Sequence, residues 1–135
     1  MNDSIEKVRE SLKYGDYEVE ANIRDITVTF PCSEKENVTD EYIEFALDLV
    51  NGYLSDKRKF DDKALDEVRK CLEIEEEQIE VDDSTIRDQL GTPMIGINTE
   101  RSASFYYGGV EEVGDHMPEV RVDRSLSVYD VVLNG

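Results

Sequence analysis

Three features of the sequence predict an α+β fold, an antiparallel sheet with two main helices packed on one face. Two short alternating apolar runs lie near the start, two amphipathic helical patterns fill the middle, and further alternating runs close the chain. Strands, then helices, then strands again is the order expected when helices are segregated to one side of a sheet. A chain of 135 residues has room for one core of ordinary size, so residues 1–135 are read as a single domain.

The first element is a short helix, because Ile5, Val8 and Leu12 recur at helical spacing. Asp3 and Glu6 have the spacing of a capping box, and Gly15 suits its C-terminal stop. From Tyr17 to Ile23 every odd position is apolar, and after Arg24 and Asp25 the phase shifts to Ile26, Val28 and Phe30. A one-step shift in a strict alternation means either a tight hairpin or a bulge at Arg24-Asp25, since an unbroken strand would turn its second half to solvent; the hairpin is preferred. Pro31, lacking a backbone donor, ends that ladder.

Thr39 caps a strong helix, with Asp40 and Glu41 at the positive end of its dipole. Its two adjoining apolar stripes, Ile43, Ala46, Leu47, Val50 and Leu54 beside Tyr42, Phe45, Leu49 and Tyr53, make an arc wide enough to lie across a sheet. A second helix follows Phe60-Asp61 and carries Ala64, Leu65, Val68, Cys71 and Leu72, with Phe60 placed to staple Leu65. Cys71 falls in that series and reads as packing. A short helix is expected over Ser84 to Leu90. Strands are expected at Met94 to Ile97, Ala103 to Tyr107, Val120 to Val122 and Ser127 to Leu133, the last two joined by a hairpin. The expected core comprises Ile26, Val28, Ile43, Leu47, Val50, Val68, Leu72, Phe105, Val122 and Val131.

Acidic side chains number 33 against 15 basic ones, a formal net charge of −18. That balance argues strongly against binding nucleic acid through its phosphates and disfavours an anionic membrane surface. No apolar run approaches the roughly 20 residues that span a bilayer, and the N-terminal segment lacks the apolar centre of a secretion signal. Cys32 and Cys71 form no C-x-x-C pair, so neither a disulfide scaffold nor a zinc site is expected, and the reading is a reduced, cytoplasmic protein. Acidity of this size fits either adaptation to high salt or a face that meets a basic partner. With 4 Ala, 9 Ile and 2 Cys the composition leans away from the halophilic pattern.

His116, the only histidine, could act as a general base with Asp115 or Glu119 orienting its ring, but no nucleophile stands at a matching spacing; a turn-fixing role is preferred. The acidic stretch from Glu73 to Asp83 lacks the glycine and the alternating ligands of a helix–loop–helix calcium site. Gly108-Gly109 follows a strand without opening a helix, which marks a turn and not a phosphate loop. No catalysis, metal or cofactor is therefore expected. Candidate partner-binding residues are Glu73, Glu75, Glu76, Glu77, Glu80, Asp82 and Asp83, where charge is densest. Tyr106 and Tyr107 join them: as strand neighbours they point to opposite faces, leaving one available as an aromatic anchor.

The runs Ser104 to Val110, Val113 to Val122 and Val128 to Gly135 resemble a bacterial family of unknown function whose members end in a strand, a Gly-Gly-His turn, a strand and a short final strand closing in Gly. The Tyr17 to Phe30 hairpin and the helices between Thr39 and Leu72 match that family in outline. Asp115 stands where the family has its second glycine, and Met117-Pro118 replace a small and an aliphatic residue. This and similar small acidic families are associated with immunity to polymorphic, contact-dependent toxins. The resemblance therefore implies an immunity protein, and the acidity, read independently, adds that the cognate toxin domain it occludes is basic, most simply a nuclease. The competing expectations are a small-molecule or peptide-binding module, or a halophile-adapted domain with incidental acidity.

Overall fold

A computed structural model of the chain describes residues 4–74, 81–110 and 116–134. The described elements are α1 (Ile5–Ser11), β1 (Lys13–Tyr14), β2 (Val19–Ile23), β3 (Ile26–Thr29), a 3₁₀ turn (Lys35–Asn37), α2 (Asp40–Ser55), α3 (Lys57–Ile74), α4 (Asp83–Leu90), β4 (Met94–Thr99), β5 (Ser102–Tyr106), β6 (Met117–Asp123) and β7 (Val128–Asn134). The strands form one seven-stranded sheet in sequence order. The chain is thus an α+β protein with helices against one face of a mostly antiparallel sheet.

One pair departs from the expected antiparallel pattern. β3 and β4 run parallel, with Val28 opposite Ile95 and Thr29 opposite Gly96. Parallel neighbours require a long crossover, and here the whole helical middle of the chain supplies it. α2 and α3 pack on the sheet and α4 packs on α3 before the chain re-enters beside β3.

Register divides the sheet cleanly. Val28, Ile95, Phe105, Val120 and Val131 sit opposite one another in turn across β3 to β7, and the first four are fully buried. Phe105 meets the rings of Tyr53 from α2 and Phe60 from α3, at centroid distances of 5.6 and 4.7 Å. Val8 and Leu12 in and after α1, and Ile86 and Leu90 of α4, join the same core. The opposite face carries Glu20, Thr29, Asn98, Ser104, Tyr106, Glu119 and Arg121, the polar half of each alternation.

Local chemistry explains the boundaries. Ser4, not Asp3, caps α1, its hydroxyl accepting the Lys7 N–H, and the helix stops at Leu12 rather than at Gly15. Thr39 caps α2 as expected, accepting from the Tyr42 N–H. Asp56 closes α2, and its carboxylate accepts the Lys59 N–H in the first turn of α3. That helix therefore begins ahead of Phe60, which lies within it and packs on Phe105 instead of stapling its start. Tyr17 lies ahead of β2 and is 92% exposed, so the buried alternation starts only at Val19. The expected hairpin is present, with Arg24 and Asp25 both at positive φ (50° and 68°), as a two-residue turn matched to the twist of its strands requires.

Eight of the ten expected core residues are buried. Leu47 and Val131 are only partly so, packed against the core from its margin. Leu47 lies towards the outer side of α2, and Val131 belongs to the edge strand, which has a neighbour on one side only.

Candidate functional site

The helix-free face of the sheet carries the most developed polar chemistry in the described residues. Glu119 on β6 is 7% exposed although it faces outward. Its Oε2 accepts from Ser104 Oγ at 2.7 Å and Arg121 Nε at 2.9 Å, and its Oε1 accepts from Asn134 Nδ2 at 2.8 Å. Burial alone would raise the Glu119 pKa, but the hydrogen bonds from Arg121, Asn134 and Ser104 outweigh it and hold the carboxyl below its ordinary value. Arg121 reaches on to Asp130 Oδ2 at 3.0 Å, tying β5, β6 and β7 together. With its partners complete, this network is a structural clamp. It holds no unengaged nucleophile or base.

Beside it the face is concave. A groove of about 420 Å³ opens between the loop Gly15 to Glu18 and strands β2 to β5. Asp16, Glu18 and Glu20 bring carboxylates to it, Asn98 an amide, and Met94 and Tyr106 apolar surface. Gly96 makes its floor possible. A Cβ there would lie 2.7 Å from Tyr106 Cε2, so only glycine lets the tyrosine ring rest on the strand beside it. Burial, followed by the charge of Glu119, raises the Tyr106 phenol pKa. A second hollow of about 640 Å³ lies between α3 and β7, lined by Lys63, Asp66, Glu67, Arg69, Lys70 and Tyr129 among others; its charges are of mixed sign.

The residues singled out from sequence are distributed unevenly over this framework. Tyr107 is the buried member of its pair, 2% exposed, and Tyr106 is the one open to the groove. Tyr107 donates to Asp61 Oδ1 at 2.6 Å, and Tyr53 donates to the same oxygen at 2.9 Å. Burial and then contact with Asp61 push both phenols up, which fixes them as neutral donors. Asp82 caps α4, accepting from the Thr85 N–H and hydroxyl, and those bonds lower its pKa. Asp83 pairs with Arg69, whose Nε lies 3.0 Å away. Both aspartates therefore have structural work near α4. Glu75, Glu76, Glu77 and Glu80 lie outside the described residues, as does Asp115; Glu73 falls in the last turn of α3, with its side chain outside them.

His116 faces Val110 in an isolated bridge, its carbonyl accepting the Val110 N–H at 3.4 Å. Among the described residues no three His, Cys, Asp or Glu side chains come together to hold a metal, and no helix is long and apolar enough to cross a membrane. Cys32 and Cys71 are free thiols; burial and then Glu18 raise the Cys32 pKa.

Sequence reading missed the groove. Part of its signal was present, because the alternation that buries Val19 and Ala21 puts Glu18 and Glu20 on the other side. What no alternation reveals is that β2 and β4 flank β3, which brings Glu20 and Gly96 into one hollow.

No protein-family model matches this sequence, and no match is found among curated proteins or solved structures. The fold and the groove describe a helix-backed sheet whose open face holds a hollow lined by carboxylates and an aromatic ring.

Proposed function

We propose that the chain is a cytoplasmic immunity protein that binds and neutralises a basic toxin domain, a nuclease, by covering its active surface. The observation that carries this reading is the net charge of −18. Much of the available positive charge is already committed: Arg9, Arg69, Arg87, Arg121 and Arg124 each pair with a carboxylate of the chain. A nuclease holds phosphates with Lys and Arg, so an inhibitor gains by setting carboxylates where phosphates would lie. Long-range attraction also speeds capture, towards about 10⁸ M⁻¹s⁻¹ at low salt. The resemblance of the C-terminal third to an immunity-associated family points the same way. The contacts proposed are the acidic stretch Glu73 to Asp83, with Tyr106 as aromatic anchor. Binding rather than catalysis is the activity, and no cofactor takes part.

The partner sought is a toxic domain encoded beside the gene for this chain. Co-expression should restore growth, and stopped-flow capture should slow steeply as salt brings the Debye length below about 10 Å. Reversing Glu75, Glu76, Glu77 and Glu80 together should slow capture while the fold persists. Capture indifferent to both salt and reversal would remove the acidic stretch as the binding face. The groove favours a second reading, a peptide- or small-molecule-binding module, for which affinity would depend weakly on salt.

A further inference from the structure

We propose that the groove under the Gly15–Glu18 loop is a receptor for a single arginine side chain presented by the protein partner, a proposal that rests on the reading of the chain as a binder of basic protein. At about 420 Å³ the groove falls within the size range of pockets that enclose small ligands. Its charge is of one sign: Asp16, Glu18 and Glu20 line it, and no Lys or Arg does. Two cations stand nearby: Lys13 engages Glu20 at 3.5 Å with its side chain largely in solvent, and Arg121, whose charge reaches Tyr106, is held by Glu119 and Asp130.

The lining selects among cations. No three carboxylates among the described residues gather tightly enough for a metal ion, so a compact divalent cation finds no ligand set. The acids line the hollow together with the Tyr106 ring and Asn98, whose Nδ2 donates to Ser104 Oγ at 3.2 Å. A planar guanidinium suits that arrangement, because it can stack on an aromatic face while its edge donates to carboxylates. Gly96 keeps the ring against the sheet and the hollow open. Tyr17, almost wholly exposed at the rim, adds a second aromatic surface for the flanking backbone.

The test uses three probes against the full, ¹⁵N-labelled chain: acetyl-Gly-Arg-Gly-amide, its lysine counterpart and its norvaline counterpart. The arginine peptide should give saturable shifts confined to the amides of Gly15, Glu18, Gly96, Asn98 and Tyr106. It should bind several-fold more tightly than the lysine peptide, and the norvaline peptide should not bind. Glu18→Gln and Tyr106→Leu should each weaken arginine binding by roughly threefold or more while the remaining spectrum is unchanged. Shifts that spread over the whole acidic surface without saturating would overturn the proposal, as would affinity unaltered in both variants. If Tyr106→Leu perturbs the fold, Glu18→Gln, a near-isosteric change at an exposed residue, decides. Toxin protection without saturable arginine binding would sink the groove and leave the immunity reading standing; arginine binding without protection would do the reverse.

Discussion

At the scale of single residues, Glu119 shows how an outward-facing carboxylate becomes part of the structure. Three donors on β5, β6 and β7 converge on it. Glu119→Gln should cost about 1–3 kcal/mol at neutral pH, since hydrogen bonds to a charged group are the strong ones and one donor then meets an amide N–H. Its folded pKa lies below its unfolded one, so its contribution is complete above the unfolded carboxyl value and drains as the pH falls through the folded value. Denaturant titrations between about pH 6 and pH 3 should therefore show the wild type losing its advantage over Glu119→Gln. Equal pH profiles would mean that the carboxylate is not held in the folded state. The hairpin turn offers the opposite case. Asp25 sits at φ 68° and uses its N–H towards Asn22 Oδ1. Asp25→Gly keeps that bond, removes the steric cost of a left-handed residue and should stabilise by up to about 1 kcal/mol; a lower unfolding midpoint would contradict this.

At the scale of elements, helix caps and the aromatic junction carry the argument. Removing the α2 cap with Thr39→Ala should cost about 1 kcal/mol, read from the denaturation midpoint. Phe105 is where β5 meets both α2 and α3, so Phe105→Ala should cost about 3–5 kcal/mol. Leu47→Ala and Val131→Ala, at the margins of the core, should cost distinctly less than Ile43→Ala, which empties a fully buried site. If Leu47→Ala proved as damaging as Ile43→Ala, the orientation of α2 over the sheet would be wrong. Leu126 illustrates a contact between elements that neither predicts alone. It adopts φ 66° in the β6–β7 turn and lies over Gly52 of α2, where a Cβ would collide with it.

For the whole molecule, electrostatics and topology act together. The helices occupy one face, and the other carries Glu20, Thr29, Ser104, Glu119 and Arg121 beside the apolar Met94 and Val132. His116 contributes its backbone to the Val110 bridge, and His116→Ala is expected to leave toxin protection intact and to change only local stability. Loss of protection in a folded His116→Ala protein would bring catalysis back into consideration, with Asp115 and Glu119 the next residues to replace.

The sequence by itself determined the α+β class, the Arg24-Asp25 hairpin, the Thr39 cap, the placement of most strands and the opposition of Tyr106 and Tyr107. Each of these depends on residues a few positions apart, through alternation, helical period or a side chain bonding its own backbone. Only the tertiary structure decided that β4 enters parallel to β3, that Leu47 and Val131 fall at the margin of the core, and that Tyr107 rather than Tyr106 is buried against Asp61. It alone joined Glu18, Glu20, Gly96 and Tyr106 into a groove. Those outcomes depend on which strands become neighbours after a crossover of some sixty residues, from Pro31 to Pro93. Local periodicity marks the face on which a side chain lies, but carries no information about which distant strand will lie alongside it.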